Sequence, residues 1–173
     1  DDAWFRDSGP NYVIENGELI ATCWTFNGWG EKFVPFDKDA TIAMRWAAHA
    51  GHKTRKINMV LEGGSLNVDG AGTLITTEQC LLHPNRNPKL SRDQIAERLC
   101  SELGQQRVVW LPFGLALDDD TDGHVDNVAA FIGEKTVIMQ GCDDKNEADF
   151  SRCATNISVA KDAGLTVHEI PVL

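Results

Sequence analysis

The chain has 173 residues, 42% of them hydrophobic, and a formal net charge of −10 at pH 7. That length and apolar share suffice for one domain with a core of its own. The acidic balance speaks against nucleic acid, whose phosphates recruit Lys and Arg, and against anionic membrane surfaces. No apolar run approaches the ~20 residues of a membrane span, and no basic n-region with an apolar h-region opens the chain. Five cysteines, Cys23, Cys80, Cys100, Cys142 and Cys153, are widely spaced and form no C-x-x-C pair. They predict reduced thiols in a cytoplasmic protein, with no zinc site. The sequence opens on Asp1-Asp2-Ala3-Trp4 without Met and ends on Ile170-Pro171-Val172-Leu173. It reads as one partial domain over residues 1–173, cut from something longer.

In chain order, Trp4 to Pro10 is polar, aromatic and turn-rich. Tyr12-Val13-Ile14 predicts a strand, Glu15-Asn16-Gly17 a hairpin turn, and Leu19-Ile20-Ala21 the returning strand. Trp24 to Gly30 is an aromatic, Gly-rich loop of a kind that can line a pocket, though aromatics packing at the surface are the commoner case. Asp39 to Ala50 has helical composition, with Asp39 the expected N-cap and Gly51 the stop. His49 and His52 suit the end of that helix dipole.

A short strand over Asn58 to Leu61 feeds Glu62-Gly63-Gly64-Ser65. Leu66, Val68 and Thr73 to Thr77 then suggest a hairpin around Asp69-Gly70-Ala71-Gly72. His83 to Pro88 is a loop. Ser91 caps an amphipathic helix in which Ile95, Leu99 and Leu103 recur every four residues, ending at Gly104. Arg107 to Leu111 predicts a strand, Val128 to Ile132 another, Lys135 to Met139 a third, and Asn146 to Gly164 a helix running to Leu165-Thr166-Val167. The hairpin, helix, strand order is a loose repeat, read twice, with no exact period.

Between these elements lies Asp118 to Asn127, with Asp118, Asp119, Asp120 and Asp122 crowded ahead of His124 and Asp126. The regular Asp-x-Asp-x-Asp-Gly register of a Ca²⁺ loop is missing. In an extended segment His124 and Asp126 would share one face, as a proton-transfer pair titrating near neutral pH. Asp7, Glu62, His124 and Asp126 each stand at an expected strand–loop junction. Brought together, three carboxylates and one imidazole suit a planar, multi-donor cation such as guanidinium. They also suit Zn²⁺ or Mn²⁺, and spacing ranks neither ligand above the other.

The segments Trp4 to Pro10, Trp24 to Gly30, Leu61 to Ser65, Asn85 to Pro88 and Thr121 to Asn127 resemble the agmatine deiminase branch of the bacterial-type peptidylarginine deiminase family, in the guanidine-modifying superfamily. Glu62-Gly63-Gly64-Ser65 with the closing His-x-Asp favours that branch over the peptidyl-arginine one. The resemblance implies an α/β fold, part of a five-bladed propeller with two to three blades present. It implies hydrolysis of agmatine to N-carbamoylputrescine and ammonia, on the way to putrescine and the polyamines, without metal or organic cofactor. Carried over by residue, Asp7 and Asp126 grip the guanidinium, His124 paired with Glu62 shuttles protons, Trp4 walls the slot, and Asp122 helps to bind and orient. The family's nucleophile is a cysteine in a Gly-Gly-Gly-Asn-x-His-Cys segment, which this chain lacks. Its cysteines match no catalytic position. The resemblance therefore implies the middle of such an enzyme, completed by self-association or a complementing chain. The alternatives are a non-catalytic guanidinium- or amine-binding or assembly remnant, or a peptidyl-arginine deiminase.

Overall fold

The structure is a computed structural model and is described here for residues 2–171. Three three-stranded sheets follow one another along the chain, each with the same plan. The first pairs β1 (Asn11–Glu15) antiparallel with β2 (Glu18–Thr25), then adds β3 (Lys53–Val60) parallel to β2 after helix α1 (Asp39–His49). The second joins β4 (Leu66–Val68) and β5 (Thr73–Thr77), crosses through α2 (Arg92–Leu103) and returns as β6 (Arg107–Leu111), parallel to β5. The third joins β7 (Ala129–Gly133) and β8 (Thr136–Gly141), crosses through α3 (Asp149–Asp162) and returns as β9 (Thr166–Pro171). The hairpin–helix–strand unit therefore occurs three times, once more than the sequence repeat suggested.

Local chemistry explains the elements. The turn between β1 and β2 places Asn16 and Gly17 at φ of 51° and 81°, the left-handed pair that a two-residue hairpin demands. Helix α2 opens with a full capping box, in which the Ser91 hydroxyl accepts from the Gln94 N–H and the Gln94 side chain accepts from the Ser91 N–H. Helix α1 differs from expectation at its start. Lys38 occupies the N-cap position, and Asp39 is the first helical residue, its carboxylate accepting from the Asp2 N–H at 3.2 Å.

Strand β3 is longer than its apolar residues suggested, because its first half is a charged surface strand. Arg55 pairs with Glu15 at 2.6 Å and with Glu102 at 3.4 Å, and Lys53 pairs with Glu18. Trp24 is not in a surface loop either. It belongs to β2 and is buried.

The middle strands of the first two units are covered on both faces, each face by a different helix. In β2, Ala21 and Cys23 meet Ala43 and Ala47 of α1, small residues that let helix and sheet approach closely. Trp24, on the opposite face, joins Ile57 and Met59 against Ile95 and Leu99 of α2. In β5, Leu74 belongs to that same cluster, while Ile75 turns toward Val137, Met139, Ile157 and Ala160 of the third unit. Successive side chains of one strand thus feed successive cores. The stacking runs α1, first sheet, α2, second sheet, α3, third sheet. Val109 and Val137 are buried in the core between the second and third units. The open faces are the outside of α1, with Met44 and Trp46, and the third sheet's Ile132 and Ile170.

Candidate active site

Each unit is entered through a tight turn just before its hairpin, and the middle turn packs against the other two. Asp7 lies in the helical turn Phe5–Ser8 ahead of β1. Glu62 precedes the 3₁₀ turn Gly63–Ser65 ahead of β4. His124 precedes, and Asp126 sits within, the 3₁₀ turn Val125–Asn127 ahead of β7. His124 and Asp126 are therefore not on one face of an extended strand, as their spacing suggested. The 3₁₀ turn brings them to the same cavity by another route.

Gly64 is where they meet. A β-carbon on it would stand 2.5 Å from His124 Nδ1, 2.8 Å from Asp126 Oδ2 and 2.8 Å from Asp7 Oδ1. All three side chains converge over that α-carbon, so any residue larger than Gly would occupy their meeting point. Asp7 is held by two donors: the Gly64 N–H to Oδ1 at 2.8 Å and the Trp29 indole N–H to Oδ2 at 3.0 Å. His124 lies between carboxylates, with Nδ1 3.8 Å from Asp7 Oδ1 and Nε2 3.8 Å from Glu62 Oε2. Burial opposes its charge, but Glu62, Asp7 and Asp126 outweigh that, and its pKa is raised above the usual 6.5. Burial raises the Asp126 pKa, and the neighbouring Asp7 charge adds to the effect.

A cavity of about 390 Å³ opens over these groups. Its walls include Trp4, Trp29 and Phe33, and its polar lining includes Asp7, His124, Asp126 and Asp120. Trp4 stands at the cavity with 63% of its surface exposed, while Glu62 lies behind His124 with none. Asp118, which also borders the cavity, is the hub of its own loop. It accepts from the N–H groups of Thr121 and His124, the Thr121 hydroxyl and the Asn127 amide.

Asp122 is placed differently from the sequence expectation. It does not line the cavity; its carboxylate accepts from Arg86 at 2.8 Å and from Asn85 at 3.0 Å, and it also pairs with Lys32. The residue missed in the sequence is Arg86. Its side chain is fully buried and donates to Glu62 Oε1 at 2.7 Å, to Asp122, to Asn85 Oδ1 at 2.7 Å and to the Thr121 carbonyl at 3.0 Å. One guanidinium thereby ties the Glu62 turn to the acidic loop that carries His124. Asn85-Arg86-Asn87-Pro88 had marked this loop, but nothing local says that an Arg there turns inward. Gly30 is part of the reason it can: a β-carbon there would stand 2.6 Å from Arg86 Nη1.

The Cys80 thiol is the second surprise. It is fully buried, and its sulfur lies within 4.8 Å of the nearest ligand atoms of Glu62 and His124. Burial, and then the Glu62 charge, push its pKa well above the ordinary thiol value.

The sequence model of the Porphyromonas-type peptidyl-arginine deiminase family matches residues 1–172, and the chain belongs to that family. Among curated relatives, it is 44% identical to an agmatine deiminase of Stutzerimonas stutzeri over 184 residues, covering 99% of this chain and 50% of that protein. An agmatine deiminase of Pseudomonas aeruginosa is 40% identical with the same coverage. The chain spans about half the length of the curated relatives it matches. Of solved structures, a substrate-bound cysteine-to-serine variant of C. jejuni agmatine deiminase superposes with a TM-score of 0.93 at 33% identity, covering 99% of this chain and 52% of that one. Enterococcus faecalis agmatine deiminase gives 0.91 at 38% identity, with 99% and 50% coverage. The fold is thus the mixed α/β fold of these enzymes.

Proposed function

We propose that this chain is the guanidinium-holding half of a hydrolase that deiminates agmatine to N-carbamoylputrescine and ammonia. The observation that carries this reading is the convergence of Asp7, Asp126 and His124 over Gly64, in a cavity walled by Trp4, Trp29 and Phe33. A planar guanidinium presents N–H groups in its own plane, which suits two carboxylates that can each accept a pair of them. The aromatic walls suit the flat face of the cation and an aliphatic tail. His124 carries the proton for the departing ammonia and recovers one from the attacking water, while Glu62 holds the imidazolium from behind. We assign Asp122 a positioning role through Arg86, in place of direct contact with substrate.

The nucleophile is the missing part. None of the five cysteines lines the cavity, and burial holds the thiols of Cys23, Cys80, Cys100 and Cys153 above their ordinary pKa. The thiolate that attacks the guanidinium carbon would come from the portion of the relatives' length outside this chain. We propose that this portion closes the three repeats into a five-bladed propeller. The same observation favours a second reading, a guanidinium-binding unit without turnover.

Two measurements test the proposal. The chain alone, incubated with agmatine, should release no ammonia catalytically. Calorimetry should detect agmatine binding that weakens in Asp126→Ala by about 2 kcal/mol, roughly 30-fold, the worth of one charge-assisted pairing. Equal heats for both proteins would remove Asp126 from the site, and turnover by the isolated chain would place the nucleophile within it.

A further inference from the structure

Two atoms at the heart of the site are left without partners. Glu62 Oε2 and His124 Nε2 are both buried, face each other at 3.8 Å, and have no hydrogen-bond partner among the described residues. That separation is too long for a hydrogen bond. A buried carboxylate oxygen and imidazole nitrogen are rarely left unsatisfied unless a shared ligand joins them. The third nearby donor is soft: Cys80 Sγ, with all three ligand atoms within 4.8 Å of one another. Cys80 is held there by the short helical turn Glu78–Leu81, whose N-cap Thr77 accepts from the Cys80 N–H and donates to the Gly123 carbonyl beside His124.

We infer that Glu62, Cys80 and His124 form a buried binding site for a thiophilic divalent cation of the zinc class, behind the imidazole that lines the cavity. One imidazole, one thiolate and one carboxylate are a three-ligand set that zinc accepts, leaving one position open. Tetrahedral coordination at about 2.0–2.3 Å sets donor atoms roughly 3.3–3.6 Å apart, so side-chain shifts on the order of 1 Å close the site.

The outer contacts have the form that metal ligands use. The other oxygen of Glu62 is held by Arg86 Nε at 2.7 Å, and the other nitrogen of His124 lies 3.8 Å from Asp7 Oδ1, an ion-pair distance that the same small shift would shorten to a hydrogen bond. Cation binding displaces the Cys80 thiol proton to solvent, and with it the Nε2 proton of His124 wherever the imidazole is charged, since both ligands must be deprotonated to coordinate. Asp7, Asp122 and Asp126 add negative charge around the site, with Arg86 and, at Asp122, Lys32 opposing it.

The consequence for chemistry, which rests on the proton-transfer role given to His124 and Glu62 above, is inhibition. The cation takes the very atoms, Nε2 and Oε2, through which the proton would pass. The binding claim itself stands apart from that role, and its test uses no substrate. Titrating the purified chain with Co²⁺ should give one equivalent of a cobalt complex with thiolate-to-metal charge-transfer absorption, displaced by Zn²⁺. X-ray absorption of the zinc-loaded chain should show one sulfur and otherwise nitrogen or oxygen ligands. Cys80→Ser should abolish the charge-transfer band, and His124→Ala should weaken binding by about tenfold or more. Circular dichroism would verify that each variant keeps its fold, and His124→Ala, at the cavity wall, serves if Cys80→Ser does not fold. Absence of the band, a band that survives Cys80→Ser, or one that disappears instead in Cys142→Ser would overturn the assignment.

Discussion

His124 is the residue on which the site's electrostatics turn. It is raised above 6.5 because three carboxylates outweigh its burial. A group whose folded pKa exceeds its unfolded one stabilises fully below the unfolded value, and that contribution fades as pH rises through the folded value. An NMR titration of His124 should therefore find a midpoint above 6.5, and Glu62→Gln should lower it. Urea stability of the parent should decline with rising pH across that interval more than that of Glu62→Gln. Arg86 answers for the opposite charge. With Glu62, Asp122, Asn85 and Thr121 all accepting from it, Arg86→Met leaves the buried Glu62 without its cation and Asp122 with Lys32 alone. The expected cost is about 3–5 kcal/mol in denaturant unfolding. Arg86→Lys should restore only part, since an ammonium cannot reach four acceptors in a plane.

At the level of elements, α2 was the most legible part of the chain. Its Ser91 cap, its Ile95, Leu99 and Leu103 stripe and its Gly104 stop all stand where the sequence put them. Ser91→Ala removes the box and should lower stability by about 1 kcal/mol, while agmatine binding stays unchanged because the cap is remote from the cavity. The hairpin turn at Asn16-Gly17 was equally readable, because a left-handed pair leaves a sequence mark. The start of β3 was not, since charged residues on a surface strand have no apolar period to betray them. Asp7, Glu62, His124 and Asp126 were named from motif and chemistry together, and the structure brings them to one place. What the sequence did not carry was the route. Helical and 3₁₀ turns, not extended strand ends, aim these side chains, and the inward turn of Arg86 and the approach of Cys80 depend on contacts distant along the chain.

For the whole molecule, the unpaired surfaces are the outside of α1, where Trp46 is 45% exposed, and the third sheet, where Ile132 is 59% exposed. Each such side chain gains about 1.5–3 kcal/mol when fully buried. The chain should therefore self-associate or take up a complementing segment. Light scattering over a dilution series should show a mass that rises with concentration, and Trp46→Lys with Ile132→Lys should suppress the rise. A chain that stays monomeric at high concentration, without these substitutions, would mean that these faces need no cover.

The serial order of the three units bears on how the molecule comes apart. The middle unit is clamped between two cores, whereas the first and third units each share only one. In such stacked arrays cooperativity is nearest-neighbour, and the outer members open first. Asp7 belongs to the turn that enters the first unit, and His124 and Asp126 to the turn that enters the third. Only Glu62 enters the middle one. The pocket is thus assembled from the two ends of the stack, and fraying at either end dismantles it while β5 and α2 still stand. A guanidinium held between Asp7 and Asp126 would join those ends as a clasp, so occupancy and resistance to fraying would rise together.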